Sequence, residues 1–260
     1  MPGKVGQVAG SMQRKVATLI SGGPLDGPVR HVYSAARSHI PARFLSEEAV
    51  KSHSYDTMTL EIARKVLSTG GCAIDVGAHD GSILRHLVKF SPGPHWAFEP
   101  VPSFAERLRK RFPDVKVEQF ALSDSNGEAT FNFLPGAAAY SSLLRREQIE
   151  SGQVVRRLTV RVRTLDDYLP ADANIAFLKI DVEGAEPAVL RGARRLLSRS
   201  RPVTVFECDP SKLRDCIEAL SGTGMRVSFL ADYLAGVIRS EIQVVGLSRE
   251  QGEYYYVAHG

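Results

Sequence analysis

The sequence lacks an apolar run of about 20 residues, which a membrane-spanning helix requires. Its first residues also lack the continuous apolar segment of a signal peptide. We therefore expect a cytoplasmic protein. Hydrophobic residues make up 43% of the 260 positions, which is enough for the core of one large α/β domain or two small ones.

Cysteine is scarce. The three cysteines, Cys72, Cys208 and Cys216, are odd in number and form no C-x-x-C pair. This pattern fits neither a disulfide framework nor a structural zinc site. Cys72 and Cys208 lie in apolar segments, so we expect them to be buried.

Dense clusters of positive charge are also missing. The net charge is +4, and residues 1–55 carry all of the excess, with seven Lys and Arg against three Asp and Glu. Such a segment can contact an anionic membrane, a nucleic acid or an acidic substrate, but without clustered charge or interleaved aromatics a solvated arm is favoured. We expect no nucleic-acid partner and at most peripheral membrane contact. We divide the chain into a basic, partly helical extension (1–54) and a catalytic domain (55–260).

The regular pattern begins with a helix that Asp56 or Thr57 can cap and that Gly70 and Gly71 end. Strands and helices then alternate, which predicts a doubly wound, mostly parallel α/β sheet. The predicted strands cover residues 72–76, 95–99, 115–122, 129–133, 158–162, 175–180, 203–208, 226–230, 241–246 and 254–258. The helices between them are predicted at residues 82–90, 103–112, 187–197 and 211–220.

The segment 73–84 reads as a buried strand, a glycine-rich turn and the start of a helix. A dinucleotide-binding loop has the spacing G-x-G-x-x-G. Here the spacing is Asp75-x-Gly77-x-x-x-Gly81, which counts against an NAD-dependent or nucleotide-sugar enzyme. Gly77 permits a sharp turn, and Gly81 removes a side chain where a ligand or the start of a helix must come close.

Acidic residues lie at or just after the carboxyl ends of the predicted strands, where ligands bind in sheets of this kind. They are Asp75, Glu99, Asp124, Asp181 and Glu207. Glu99 ends the second strand about 20 residues after the glycine loop, a position suited to accepting hydrogen bonds from two ribose hydroxyls.

Five motifs occur in a fixed order, and together they resemble the signature of FkbM-type methyltransferases. They are Asp75-Val-Gly-Ala-His-Asp-Gly81, Ala97-Phe-Glu-Pro-Val-Pro102, Ala121-Leu-Ser-Asp124 with Gly127-Glu-Ala129, Thr164-Leu-Asp166, and Lys179-Ile-Asp-Val-Glu-Gly-Ala-Glu186. The first alone resembles the opening motif of class I S-adenosylmethionine-dependent methyltransferases, D/E-x-G-x-x-x-G. The resemblance runs from about Tyr55 to Glu207. His79 departs from it, because the family commonly has Asn there.

The resemblance implies a seven-stranded, Rossmann-like class I fold and S-adenosylmethionine as methyl donor. It also implies a small-molecule or glycan acceptor that offers a hydroxyl on a sugar, glycolipid or polyketide, which is natural-product chemistry. The donor would be held by Asp75, Gly77, His79, Asp80, Gly81, Glu99, Asp124 and Asp181.

Transfer of a methyl group from a sulfonium mainly requires alignment and a base for the hydroxyl proton. Asp181 is the first candidate base, followed by Glu183, Glu207 and His79. As an alternative, Asp181 and Glu207 could bind Mg²⁺ and orient the hydroxyl.

The long connection at residues 134–153 is expected to cover the acceptor, because long ordered loops in compact domains are often functional. Its candidate acceptor contacts are Tyr140, Ser141, Ser142 and Arg145. N-methylation, RNA methylation and a non-catalytic adenosine-binding module remain alternatives, and a homodimer is left open.

Overall fold

The computed structural model describes residues 47–133 and 155–260. Ten strands are found there: β1 (Cys72–Val76), β2 (Trp96–Phe98), β3 (Lys116–Glu118), β4 (Ala121–Leu122), β5 (Gly127–Phe133), β6 (Arg156–Arg163), β7 (Ile175–Ile180), β8 (Val203–Glu207), β9 (Arg226–Phe229) and β10 (Tyr255–His259).

Seven of these strands form the main sheet in the order β3-β2-β1-β7-β8-β10-β9. β10 runs antiparallel to β8 and β9, whereas the remaining neighbours pair in parallel. The strand order steps outward from β1 in both directions, which is the doubly wound arrangement. The predicted fold class is therefore confirmed.

Helices cover both faces of the main sheet. They are α1 (Glu47–Leu67), α2 (Leu84–Phe90), α3 (Pro102–Arg111), α4 (Leu165–Tyr168), α5 (Glu186–Arg191), α6 (Arg194–Ser200), α7 (Leu213–Leu220), α8 (Leu230–Ala235) and α9 (Glu241–Gln251). Alternate residues of one strand enter different cores. Ile74 packs with α5, α6, α7 and α9, while Ala73 packs with α1, α2 and α8. A buried parallel strand must be apolar on both faces, as β1 is.

Helix α1 begins at Glu47, earlier than the start predicted at Asp56 or Thr57. Thr57 is not a cap. Its hydroxyl donates to the carbonyl of His53 (2.9 Å), a bond made inside a helix. No Gly or Pro interrupts residues 47–67, so the helix runs through the proposed boundary at residue 54.

Two predicted elements are split. The predicted strand 115–122 divides into β3 and β4, which belong to different sheets. The predicted helix 187–197 breaks at Gly192, whose carbonyl accepts from Asp166 N–H (2.9 Å) rather than continuing the helix. A Cβ at Gly192 would lie 2.0 Å from the Ser123 carbonyl oxygen, so the chain packs too closely there for a larger residue.

The predicted strand at residues 241–246 is wrong, because these residues belong to α9. Ser240 and Gln243 form a capping box, which satisfies the first N–H groups of the helix and favours it over the β-branched preference of Ile242, Val244 and Val245.

β4, β6 and β5 form a second, three-stranded sheet. Its apolar face packs Phe131, Val160 and Val162 against Val101 and Phe104 at the start of α3. The small sheet is thereby fixed next to the carboxyl end of β2.

The described part of the chain contains no helix that is both long and apolar enough to cross a membrane. All three cysteines are buried and free, as the sequence predicts for Cys72 and Cys208.

Candidate active site

The glycine loop leaves β1 at the carboxyl edge of the sheet. Gly77 has φ +76°, which only glycine adopts at little cost. A Cβ there would lie 1.9 Å from the Asp181 carbonyl oxygen, so the loops after β1 and β7 are in direct contact. Gly77 N–H donates to Phe98 O (2.9 Å), and Asp181 N–H donates to Val76 O (3.1 Å). Three strand ends are therefore joined at one point.

Gly81 is required for packing. A Cβ at this residue would lie 2.8 Å from Leu108 of helix α3 and 2.7 Å from Phe112, the residue that follows the helix. The helix that comes close to Gly81 is α3, at its end rather than at its start. Asp80 accepts from Ser82 N–H (2.9 Å), which closes the turn into α2.

Glu99 is buried and joins two loops. Its Oε2 accepts from His79 N–H and its Oε1 accepts from Val101 N–H, both at 2.9 Å. Burial raises the pKa of Glu99, and these backbone bonds oppose the rise. A carboxylate has about four acceptor positions, so two are left for a ligand diol.

His79 has φ +49°, a left-handed conformation that costs a non-glycine residue about 1 kcal/mol or more. Its ring packs on Phe104 with centroids 4.4 Å apart. Its Nε2 is buried and has no hydrogen-bond partner among the described residues. Strain and an unpartnered polar atom in one loop residue are features of ligand-binding positions.

Lys179 is the cation at the centre of the strand ends. Its Nζ lies 3.0 Å from Asp181 Oδ2 and 3.6 Å from Asp75 Oδ1, and only 8% of its side chain is exposed. Burial lowers the pKa of Lys179, but the negative charges of Asp181 and Asp75 raise it by more. The net shift is upward. The two neighbouring carboxylates therefore favour the ammonium form of Lys179. Asp75 is 1% exposed, and its oxygens have no hydrogen-bond partner among the described residues.

Glu186 shapes the loop that follows β7. Its Oε1 accepts from Val182 N–H (3.2 Å) and Gly184 N–H (2.9 Å), and the residue is 1% exposed. In the same loop Glu183 has φ +57°. Glu186 therefore does more than complement a helix dipole, because it holds the loop between Asp181 and α5.

Glu207 ends β8 beside Asp181 and Lys179. Burial and the nearby charge of Asp181 raise its pKa to about 8, against hydrogen bonding from Tyr255 and the charge of Lys179. Tyr255 is the cross-strand partner of Glu207 on β10, and its hydroxyl donates to the carboxylate. Tyr255 is a site residue that sequence reasoning missed, although the run Glu253-Tyr-Tyr-Tyr256 was visible.

Asp124 follows a strand of the small sheet rather than a strand of the main sheet. The third strand of the main sheet ends at Glu118, whereas Asp124 follows β4 of the small sheet. Asp124 forms an exposed ion pair with Arg191 (2.9 Å). The acid that ends β3 is Glu118, which accepts from the Tyr168 hydroxyl (2.6 Å) and was hidden inside the predicted strand 115–122.

The described residues contain no group of three or more His, Cys, Asp or Glu side chains arranged to hold a metal ion. Asp181 and Glu207 are neighbours, but the cation beside them is the Lys179 ammonium. The structure therefore gives no support to the magnesium hypothesis.

The predicted acceptor contacts Tyr140, Ser141, Ser142 and Arg145 lie outside the described residues. Phe133 is the last described residue before the segment that contains them. Phe133 packs edge-on against Phe104 (6.3 Å), and Phe104 contacts His79. Phe133, at the end of β5, is therefore linked to His79 of the glycine loop through Phe104.

Comparison with known proteins gives one family. The family model "Methyltransferase FkbM domain" matches residues 75–242, which is more than half of the chain. The match includes the glycine loop, Glu99, the loop after β7 and Glu207, and it ends before Tyr255.

Two curated relatives are methyltransferases by name. The chain is 27% identical over 165 residues to the 2-O-methyltransferase NoeI of Sinorhizobium fredii, covering 56% of this chain and 68% of that protein. It is 28% identical over 219 residues to the methyltransferase sdnD of Sordaria araneosa, covering 71% and 82%. A crystal structure of methyltransferase FkbM from Methylobacillus flagellatus KT is similar at 21% identity and a TM-score of 0.44, covering 61% of this chain and 39% of that one.

Proposed function

The chain belongs to the FkbM family of S-adenosylmethionine-dependent methyltransferases, and from that premise we propose that it methylates a hydroxyl group of a sugar, glycolipid or polyketide-type acceptor. The Gly77 loop, Glu99 and the ion pairs of Lys179 with Asp75 and Asp181 meet at one edge of the sheet, and this observation carries the proposal. Transfer to oxygen is supported by the name of the relative NoeI.

The residues at this edge fit the donor. Glu99 keeps free acceptor positions that suit the two ribose hydroxyls. The oxygens of Asp75 are buried without a hydrogen-bond partner among the described residues, and they suit the α-ammonium group. The loop from Gly77 to Gly81 lies between these two acids and would hold the part of the donor that joins them.

When bound, the donor supplies a methyl group on a positively charged sulfur, which is a good leaving group. The acceptor oxygen forms the new bond to the methyl carbon, and the electron pair of the broken C–S bond stays on sulfur. The hydroxyl proton must then pass to a base within hydrogen-bond reach. Asp181 and Glu207 are the carboxylates that end neighbouring strands here, with Glu183 and His79 as further candidates.

The charge of the site favours a cationic donor. Among the described residues, the Lys179 ammonium faces the carboxyl groups of Asp75, Asp181 and Glu207. In a buried setting this surplus of acid is costly unless a proton or a bound cation offsets it. A ligand that carries a sulfonium and an ammonium group provides such an offset.

The acceptor is proposed to approach from the β5–β6 side. Phe133, Phe104 and His79 form a continuous aromatic contact from the small sheet to the glycine loop. We propose that the segment after Phe133 selects the acceptor through Tyr140, Ser141, Ser142 and Arg145.

The test is calorimetric titration of the purified protein with S-adenosylhomocysteine, the demethylated product. We expect binding with one site per chain, and no binding of NAD, because the loop lacks the dinucleotide spacing. Transfer of a radiolabelled methyl group is then screened over hydroxylated sugars, glycolipids and polyketides, with matched amino sugars to separate oxygen from nitrogen acceptors. Binding of NAD without S-adenosylhomocysteine would contradict the proposal.

A further inference from the structure

The family match covers residues 75–242, and among the tyrosines outside it are Tyr255, which contacts Glu207, and Tyr55, which contacts Tyr255. Tyr255 lies opposite Glu207 in the β8–β10 pair, so their side chains emerge on the same face of the sheet at its carboxyl edge. The Tyr255 hydroxyl donates to the Glu207 carboxylate, and the residue is 8% exposed.

A second tyrosine braces the first. The ring of Tyr55, on α1, stacks on the ring of Tyr255 with centroids 4.8 Å apart and an interplanar angle of 20°. The Tyr55 hydroxyl donates to Glu253, which precedes β10. Both ends of Tyr55 are thus engaged with the chain around Tyr255, so Tyr255 has little freedom to turn away from Glu207.

The two candidate carboxylates differ in their partners. Asp181 faces the Lys179 ammonium at 3.0 Å, so its Oδ2 is already engaged in an ion pair. Glu207 is hydrogen-bonded by a neutral phenol and lies near the negative charge of Asp181. Burial and Asp181 raise the pKa of Glu207, which makes it the stronger candidate for accepting a proton.

We propose that Glu207 accepts the proton of the acceptor hydroxyl, and that Tyr255, braced by Tyr55, is a positioning residue that orients the Glu207 carboxylate. The inference rests on the proposed methyl transfer. As the oxygen bonds to the methyl carbon and the C–S bond breaks toward sulfur, the O–H proton moves to a Glu207 oxygen and later leaves to water.

The positive charge of the donor favours the deprotonated form of Glu207, which is the form that can accept a proton. The charged and titratable groups that face Glu207 are Asp181 and Lys179 at β7, Glu186 at α5 and Tyr255 on β10, and Asp56 on α1 acts on Tyr255. With its pKa raised to about 8, Glu207 is mostly protonated at neutral pH in the free enzyme. A sulfonium placed nearby stabilises the carboxylate and releases the proton. The neutral sulfur of the demethylated product has no such effect.

The test compares proton release when S-adenosylmethionine and S-adenosylhomocysteine bind. Calorimetry in buffers of different ionisation enthalpy gives the number of protons released at each pH. Both ligands carry the same amino acid group, so the difference between them reports the charge on sulfur. We expect the wild type to release more protons with S-adenosylmethionine around neutral pH.

Variants assign that difference. Glu207→Gln is expected to abolish it while both ligands still bind. Tyr255→Phe removes a bond that favours the carboxylate, so the pH of half-maximal difference should rise by about one unit. Tyr233→Phe is the matched control, because Tyr233 lies on α8 against His259, and it should behave as wild type. Near-ultraviolet circular dichroism verifies the fold of each variant.

Three outcomes overturn the inference. They are equal proton release with both ligands in the wild type, a difference that survives in Glu207→Gln, and a Tyr255→Phe profile identical to wild type. Failure of both ligands to bind the wild type would instead contradict the proposed methyl transfer, so the two failures are distinguishable.

Discussion

Glu99 combines two tasks in one buried carboxylate. A ribose-binding acid need only present its oxygens to the ligand, but Glu99 also ties the loops of His79 and Val101 together. The sequence located this residue correctly at the carboxyl end of the second strand. It did not indicate that the free protein already uses both oxygens, because backbone N–H contacts leave no mark in a motif.

Glu99→Ala should therefore lose stability as well as donor affinity. Two hydrogen bonds to a carboxylate disappear, at about 1.5–3 kcal/mol each before relaxation, and two buried N–H groups lose their partner. We expect the free energy of unfolding in urea to fall by about 2–4 kcal/mol and S-adenosylhomocysteine to bind at least about tenfold more weakly. Glu128→Ala, an exposed acid on β5, is the control for loss of a charge. Normal ligand affinity in a folded Glu99→Ala protein would remove Glu99 from the donor site.

His79 and Asp124 show two limits of motif reading at the residue scale. The left-handed φ at His79 was not predicted, although histidine, like asparagine and aspartate, is enriched in that conformation. Asp124 follows a strand, as predicted, but that strand belongs to the small sheet. Spacing along the chain cannot tell which sheet a short strand joins.

Among the elements, the glycine loop and the loop after β7 form a single unit. Gly77 is in contact with the Asp181 carbonyl, and the Glu186 carboxylate accepts hydrogen bonds from the backbone of the loop after β7. This contact explains why the glycine is needed even in the absence of a ligand.

Two glycine-to-alanine substitutions separate this requirement from ordinary helix propensity. Gly77→Ala combines a left-handed φ with a Cβ 1.9 Å from a backbone oxygen, and we expect a loss of at least about 3 kcal/mol of stability. Gly246→Ala lies inside α9 with no atom within 4 Å of the new Cβ, and we expect a gain of about 0.5–1 kcal/mol. Urea unfolding of both variants gives the comparison, and equal effects would show that the contact between the loops is not tight.

Element prediction succeeded where one strong pattern acted alone and failed where tertiary contacts decided. β7 was predicted at its observed bounds because a buried parallel strand is a short apolar run between turns. The break at Gly192 depends on the Ser123 backbone, more than 60 residues away in the sequence, and no local signal records it. The prediction at α9 was wrong for another reason. The capping box at Ser240 was visible in the sequence, but the three β-branched residues that follow it were given more weight.

At the scale of the whole molecule, the site draws on both ends of the described chain. Tyr55 on α1 and Tyr255 on β10 complete a cluster whose other members lie within the family match. Motifs identify the chemistry common to a family, whereas the parts that each chain adds must be found from contacts.

The small sheet should unfold together with the main sheet. Val101 and Phe104 pack in the small sheet's core, while Leu122 of β4 and the adjacent Phe120 pack in the core of the main sheet. The only tryptophan, Trp96, is buried on β2 and reports on the main sheet. Circular dichroism reports on both sheets. We expect the two signals to share one thermal transition, as in cooperative two-state unfolding.

S-adenosylhomocysteine should move that shared transition as a whole. At a concentration of 100 times Kd, binding to the folded state adds about 2.7 kcal/mol. A domain of about 200 residues gains about 2–4 °C per kcal/mol, so Tm should rise by about 5–11 °C in both signals. If only the Trp96 signal moved, the small sheet would be an independent folding unit. Its aromatic contact with the glycine loop through Phe104 and Phe133 would then be too weak to link acceptor selection to the donor site.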